Sequence, residues 1–255
     1  MNKKEKRQAD LVKIIETHGM LPMKEMASLL QVSPMTIYRD LNDLKYRPES
    51  VPSANPSDED SSKASSSYDL LQAIQRSNEQ KDKIGKFAAG LLNENDIIIL
   101  DTGSTVDRML PYIPENKNIS IVCFNANVLA ELRHKQGIHI FFAGGIYHPE
   151  TELCESPEGI MFLKRLRANK LFLSAAGVHE HLGITCAKEY ETATKKAIIE
   201  SASTRILLVD SEKFDRVCSS HFCDLDIVDR VITDSKIPLH WQKLLEESGI
   251  PVDIT

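Results

Sequence analysis

Asp101-Thr102-Gly103-Ser104-Thr105 puts a carboxylate, a glycine and hydroxyls into five residues directly after the apolar run IIIL at 97–100. A glycine lets the backbone approach a ligand closely. Amides and hydroxyls at the start of a helix can cradle a phosphate. Taken alone, the pattern also fits an ordinary helix cap, and the two readings weigh about evenly. Other apolar runs, however, end in similar residues. Asn125-Ala126-Asn127 follows the run 119–124, and Gly144-Gly145 follows 139–143. Ser174-Ala175-Ala176-Gly177-Val178-His179 closes 170–178, and Asp210-Ser211-Glu212-Lys213-Phe214 follows 205–210. Glu191 and Lys195 stand four apart, hence on one face of the helix expected there. Carboxylates accept hydrogen bonds from sugar hydroxyls, whereas a lysine and a glycine-rich turn suit a phosphate.

Other reactive side chains are less well arranged. Cys218, His221 and Cys223 lie close together, as do His179 and His181, but neither group has the paired spacing of a four-ligand zinc site. No metal and no cofactor is expected. A thiol nucleophile would need a base partner, and the sequence identifies none. The cysteines, Cys123, Cys154, Cys186, Cys218 and Cys223, are odd in number and scattered, as expected for free thiols in a reducing cytoplasm.

The elements that must position these residues alternate in type. Strands are expected at 97–100, 119–124, 139–143, 170–178, 205–210 and 230–233, with a short last one at 252–254. Helices are expected from about 68 to 92, after the strand at 97–100, up to about Arg133, near 158–167, at 192–202 and at 239–247. Continuous apolar strands separated by helices indicate βαβ units, so the fold class is α/β with a mostly parallel sheet covered on both faces. Trp241, Leu244 and Leu245 read as core or as an oligomer contact.

Ahead of this region, residues 48–67 (PESVPSANPSDEDSSKASSS) are Ser-, Pro- and acid-rich with almost nothing to bury, and read as a linker. Residues 1–47 read as three helices. Leu11, Ile14 and Ile15 mark the first, and Met23, Met26, Ala27 and Leu30 the second, which starts near Pro22. After a break at Gln31–Val32, Ser33 caps the third and Pro34 opens it. Ile37, Leu41 and Leu44 form its buried stripe, while Met35, Thr36, Tyr38, Arg39 and Asn42 face outward. A short helix pair with a polar second helix fits a DNA major groove. Arg39 can reach guanine or phosphate, and Thr36 can donate to phosphate.

The whole chain has 31 Lys plus Arg against 37 Asp plus Glu, net -6, which taken whole argues against nucleic acid. The charge is unevenly divided. Residues 1–47 contain nine basic and six acidic side chains, net +3, leaving -9 for residues 48–255. The acidity belongs to the part that need not touch DNA.

The spacing of Arg7, Leu11 and Ile15, followed by Ser33, Thr36, Ile37, Arg39, Asp40 and Leu41, resembles the N-terminal signature of the DeoR family of bacterial sugar-metabolism repressors. The strand-end segments, in their order, resemble that family's effector domain. The resemblance covers essentially the whole chain except the linker. It implies a winged-helix-like helix-turn-helix at 1–47, a linker at 48–67 and a sugar-phosphate-binding domain at 68–255, whose fold resembles ribose-5-phosphate isomerases and glucosamine-6-phosphate deaminases. It implies DNA contacts from Ser33, Met35, Thr36, Tyr38, Arg39 and Asn42. Effector contacts are implied from Asp101, Gly103, Ser104, Thr105, Asn125, Gly144, Ser174, Gly177, Glu191, Lys195 and Lys213. Of these, Asp101, Gly103, Ser104 and Thr105 would form the phosphate turn, Lys213 a second phosphate ligand, and Asn125, Gly144, Glu191 and Lys195 the sugar side. The segments 174–179 and 183–186 are similar to the deoxyribose-operon branch of the family, which points to deoxyribose 5-phosphate. Two departures stand out. Tyr38 replaces a usual Arg or His, and residues 45–60, KYRPESVPSANPSDED, lack the alternating pattern of a wing, so the wing is degenerate.

The expected function is therefore a transcriptional regulator, a repressor released from double-stranded operator DNA by a sugar phosphate, and not an enzyme. A dimer or larger homo-oligomer is implied, because one helix-turn-helix reads a half-site. Two alternatives remain. One is a sugar-phosphate isomerase or deaminase with Asp101 or Glu191 as general base. The other is a sugar-phosphate sensor without autonomous DNA binding. No apolar run approaches the roughly 18 residues of a membrane span, and MNKKEKRQAD lacks the apolar segment of a signal peptide, so a cytoplasmic location is expected.

Overall fold

A computed structural model describes residues 3–18, 23–32, 36, 37, 40 and 78–255. They belong to two compact units. The expected linker at 48–67, and the domain boundaries drawn around it, lie outside the described residues.

The first unit contains α1 (Lys3–His18) and α2 (Met23–Leu29). Leu11 and Ile15, one turn apart on α1, pack with Met26, Ala27 and Ile37 into a small core. The chain leaves α2 through Gln31 in the left-handed region (φ 51°), at the break expected from sequence. Arg7 on α1 closes a two-pronged bond to the buried Asp40 carboxylate, Nε to Oδ2 at 2.5 Å and Nη2 to Oδ1 at 3.1 Å. The guanidinium beside it holds the Asp40 carboxyl below its ordinary value. Asp40 thus ties α1 to the third helical segment.

The second unit begins at α3 (Asn78–Ala89) and is organised by one seven-stranded sheet. Its strands are β1 (Ile97–Leu100), β2 (Ile119–Cys123), β3 (Ile138–Phe142), β6 (Ala168–Ser174), β9 (Ala202–Leu208), β11 (Arg230–Thr233) and β12 (Val252–Ile254). The order is β12-β11-β9-β6-β1-β2-β3, and every neighbouring pair is parallel. Alternation along a strand divides its side chains between two faces. Ile98 and Leu100 of β1 join one apolar cluster with Ile84 and Ala88 of α3 and with Met109 and Phe172. Ile99 joins the other, with Leu171, Leu173, Ala197, Ile198 and Trp241. The remaining helices are α4 (Ala126–Leu132), α5 (Pro157–Arg165), α6 (Glu191–Glu200) and α7 (Leu239–Glu247).

Two features depart from the sequence expectations. The run 170–178 is not one strand. It ends at Ser174, and Gly177–His179 becomes β7 of a separate antiparallel sheet, ordered β10-β8-β7, with β8 (Gly183–Cys186) and β10 (Ser220–Cys223). The short helix expected after β1 is there, as a 3-10 helix, Val106–Tyr112, which carries Pro111 inside it. After β3 comes an unanticipated hairpin of β4 (Ile146–His148) and β5 (Leu153–Glu155). Trp241 is wholly buried and belongs to the core.

Candidate effector site

The parallel sheet defines where a ligand can sit. From β1 the chain winds outward through β2 to β3; from β6 it winds the other way through β9 and β11 to β12. The winding reverses between the neighbours β1 and β6, and the crevice beyond the carboxyl ends of such a pair is where open α/β sheets take ligands. Asp101 follows β1, and Ser174 ends β6.

These two residues are joined to Lys195. Asp101 is fully buried, and its Oδ2 accepts from Ser174 N (2.9 Å), Ser174 Oγ (3.2 Å) and Lys195 Nζ (2.5 Å). Lys195 Nζ also donates to Ser174 O at 3.3 Å and stands 3.9 Å from Glu191 Oε2. The four-residue spacing of Glu191 and Lys195 on α6 brings both into the same buried position. Burial alone would push the Lys195 ammonium down, but Asp101 and Glu191 outweigh it and hold it above its ordinary value. Burial pushes the Glu191 carboxyl up to about 7, with Lys195 opposing. One ammonium therefore serves two carboxyl groups, and the more weakly held of them sits near neutrality.

The turn 101–105 follows this anchor. Gly103 has φ +156°, and a Cβ built on it would lie 2.4 Å from Ser174 Oγ and 2.7 Å from Ser174 Cβ. The turn needs glycine because β6 presses against it. Ser104 and Thr105 are buried beside it. Asn125, at the end of β2, donates from Nδ2 to Asp101 O at 3.2 Å and so fixes the turn. Asp101, Gly103, Ser104, Thr105, Asn125, Ser174, Glu191 and Lys195 thus share one neighbourhood.

The other expected contacts are placed differently. Lys213 sits in a one-turn 3-10 helix, Ser211–Lys213, after β9, half-buried. Gly144 accepts from Ser156 Oγ through its carbonyl (3.0 Å), and a Cβ there would meet Phe142 only at 3.8 Å, so nothing requires glycine. Gly177 starts β7, and a Cβ would lie 2.3 Å from Arg216 O, so close packing accounts for it. Of the expected DNA-contacting residues, Thr36 is helical and half-buried. Ser33, Met35, Tyr38, Arg39 and Asn42 lie outside the described residues.

Sequence reasoning missed several groups. Lys81 of α3 is buried, with its Nζ 3.7 Å from the equally buried Asp210 Oδ2. Burial lowers its ammonium to about 8 against the pull of Asp210, and Lys213 and Arg108 lie near enough to act on it. The signal was available: Lys81 stands three and seven residues before Ile84 and Ala88, on the helix's buried stripe. The hairpin reaches the same site. Thr102 Oγ1 donates to Thr151 O (3.0 Å), Thr151 Oγ1 lies 3.1 Å from Tyr190 Oη, and Tyr190 Oη donates to Glu150 (3.1 Å). His148 stacks on Tyr190 at 3.8 Å and 9°. No described helix is long and apolar enough to cross a membrane.

A helical N-terminal unit joined to a parallel α/β domain with a polar, charge-paired site at its switch point is the plan of a ligand-responsive transcription regulator. Comparison with known proteins narrows the class. Residues 7–47 match the DeoR-like helix-turn-helix domain, and residues 76–235 match the DeoR C terminal sensor domain. The chain belongs to the DeoR family of transcriptional regulators, which are not enzymes. It is 28% identical over 240 residues to the deoxyribose operon repressor of Escherichia coli (strain K12), covering 91% of each chain. It is 26% identical over 252 residues to the glycerol-3-phosphate regulon repressor of the same organism, covering 99% of each. Among solved structures, ribose 5-phosphate isomerase A from Methanocaldococcus jannaschii aligns with 54% of each chain at 17% identity and a TM-score of 0.38.

Proposed function

We propose that the protein is a cytoplasmic repressor of a sugar or nucleoside catabolic operon, released from its operator when a phosphorylated sugar binds the second unit. The first candidate effector is deoxyribose 5-phosphate. The observation that carries this reading is the buried Lys195–Asp101–Ser174 constellation at the sheet's switch point, with Lys213 following the neighbouring strand β9 and Lys81 of α3 paired to Asp210 just before it. Carboxyl groups and Asn125 suit the sugar hydroxyls. The lysines, with the backbone of residues 103–105, suit the phosphate. Release is a population shift: the effector binds better to the form that holds DNA poorly. DNA is met by the helix-turn-helix through Ser33, Met35, Thr36, Tyr38, Arg39 and Asn42, and a homo-oligomer supplies the second half-site.

A thermal-shift panel of deoxyribose 5-phosphate, ribose 5-phosphate and hexose 6-phosphates tests the effector. At least one should raise the melting temperature in a concentration-dependent way, because a ligand bound to the folded state alone stabilises it by mass action. No shift from any member at millimolar concentration would remove the sugar-phosphate reading.

A further inference from the structure

The seven-stranded sheet has two edges, and the sequence treats them differently. β12 is three residues long, Pro251 precedes it, and its Asp253 accepts from Arg230 Nη2 at 2.8 Å. A short edge, a proline and a charge are the usual guards against pairing with another strand. β3 has none of them. It is five residues, IHIFF, without Lys, Arg, Asp, Glu or Pro, and among the described residues its one strand neighbour is β2.

The ladder fixes which groups this edge leaves open. Ile119 N donates to Gly137 O at 3.1 Å and Ala143 N to Cys123 O at 2.9 Å, at the two ends of the β2–β3 register. Backbone polar groups alternate in direction along a strand. Gly137, His139, Phe141 and Ala143 therefore face β2, and the amides and carbonyls of Ile138, Ile140 and Phe142 face outward. The side chains divide as well. Ile138, Ile140 and Phe142 pack on the cluster that holds Ile84 and Ala88 of α3. His139 and Phe141, on the other face, are exposed, although Val122, level with Phe141 on β2, is wholly buried. On that face the core stops one strand short of the edge, whereas parallel sheets are ordinarily covered on both faces. The exposed apolar surface continues past the strand. Ile146 and Tyr147 of β4 are exposed, and α5, whose Gly159 packs against Ala143 and Gly144, exposes Met161 and Phe162. Apolar surface gathered in this way marks a contact site.

We propose that the outer edge of β3 is the seam between two copies of this chain, paired antiparallel about a two-fold axis at Ile140. The strand's own pattern selects a second copy over a foreign strand. With the axis there, Ile138 meets Phe142 of the other copy and Ile140 meets its counterpart, so every outward amide finds an outward carbonyl. His139 and Phe141 then fall opposite one another in both directions, as the closely spaced pairs without mutual hydrogen bonds. The His139 ring, held by Asn118 Oδ1 at 3.1 Å, would face the phenyl of the other copy. An edge that matches itself in this way has the self-complementarity that a two-fold interface requires. The helix-turn-helix of residues 7–47 reads a half-site, and a two-fold partner supplies the second. The proposal rests on the homo-oligomer reading above only for the existence of the partner; the surface comes from β3.

The test is the mass of the full chain by sedimentation velocity, for wild type and three variants of the exposed pair. His139→Asp/Phe141→Asp and His139→Lys/Phe141→Lys each set like charges opposite one another across the seam. His139→Lys/Phe141→Asp sets opposite charges there. Trp241 fluorescence in urea verifies that each variant is folded, and either like-charge variant suffices if the other is not. Wild type and the mixed variant should sediment as a dimer or a larger even assembly. The like-charge variants should sediment at half that mass, their pairing weakened at least about a hundredfold, because like charges juxtaposed in an interface cost several kcal/mol. Combining the two like-charge variants should restore the wild-type mass. An oligomeric wild type whose mass the like-charge variants leave unchanged overturns the seam and leaves the homo-oligomer reading standing. Loss of assembly in the mixed variant as well overturns the antiparallel register. A wild type that is monomeric at micromolar concentration overturns both the seam and the homo-oligomer reading.

Discussion

Replacing Lys195 by Met deletes the ammonium that holds the switch-point constellation together while keeping the length of the side chain. Lys195 and Asp101 are respectively 1% and 0% exposed and 2.5 Å apart, so the pair lies beyond the reach of solvent screening. Removing one partner of a buried ion pair costs about 3–5 kcal/mol, because the other charge stays behind uncompensated. Here Asp101 keeps the amide and hydroxyl of Ser174, and Glu191 keeps its bond from Lys188 N at 3.2 Å, which places the loss near the lower end, about 3 kcal/mol. In a domain of this size a loss of 1 kcal/mol lowers the melting temperature by about 2–4 °C, so a fall of roughly 10 °C is expected. Trp241 is the sole tryptophan and is wholly buried in the second unit, so its fluorescence reports urea unfolding of that unit directly. The double variant Lys195→Met/Asp101→Asn removes both charges together. It should be more stable than Lys195→Met alone, giving a coupling between the two sites of at least about 1 kcal/mol. If Lys195→Met unfolded within about 0.5 kcal/mol of wild type, or the two losses simply added, the pair would not be the anchor described here.

Gly103→Ala should destabilise by about 2 kcal/mol or more, since the new methyl meets Ser174 Oγ at 2.4 Å on a backbone at φ +156°. Ser174→Gly in that background should recover part of the loss in the melting temperature, and the absence of any recovery would place the strain elsewhere. The Glu191 carboxyl lies at about 7 in the folded chain against an ordinary 4.5. A raised folded-state value gives stability that is fully present below about 4.5 and is lost as the pH rises through 7, at most about 3 kcal/mol for this group. Urea midpoints between pH 5 and 8 should accordingly fall with pH in wild type and fall less in Glu191→Gln; identical slopes would refute the assignment. Lys213→Ala, at a half-buried position, should leave stability within about 0.5 kcal/mol of wild type while weakening inorganic phosphate in a calorimetric titration, and unchanged phosphate binding would remove it from the phosphate side.

The parallel sheet was legible wherever a strand is buried on both faces. IIIL at 97–100 is a continuous apolar run and RVIT at 230–233 has an apolar centre, and both stand as strands at those residues. The small antiparallel sheet escaped for the opposite reason. Gly183–Cys186 and Ser220–Cys223 are four residues each and mixed in polarity, so no period distinguishes them from loop. The run through 170–178 misled because Ser174-Ala175-Ala176 reads as apolar continuation, although the chain turns there to start another sheet. Within the site, Asp101, Glu191 and Lys195 could be listed from sequence as separate strand-end and helix residues. Their mutual pairing could not, because a contact across 94 positions depends on the sheet order. Lys81 was hidden by its type: a lysine on the apolar stripe of an amphipathic helix is easily taken for a solvated side chain.

The measurement closest to the central claim is a fluorescence-anisotropy titration of the full chain against its own upstream DNA at two salt concentrations, with and without the sugar phosphate that scores highest in the melting panel. The account predicts tight binding at low salt that weakens steeply as salt rises, as phosphate contacts require, and release of the bound DNA by the sugar phosphate at concentrations near its own dissociation constant. DNA binding that is absent at low salt would contradict it, and so would binding that no sugar phosphate alters.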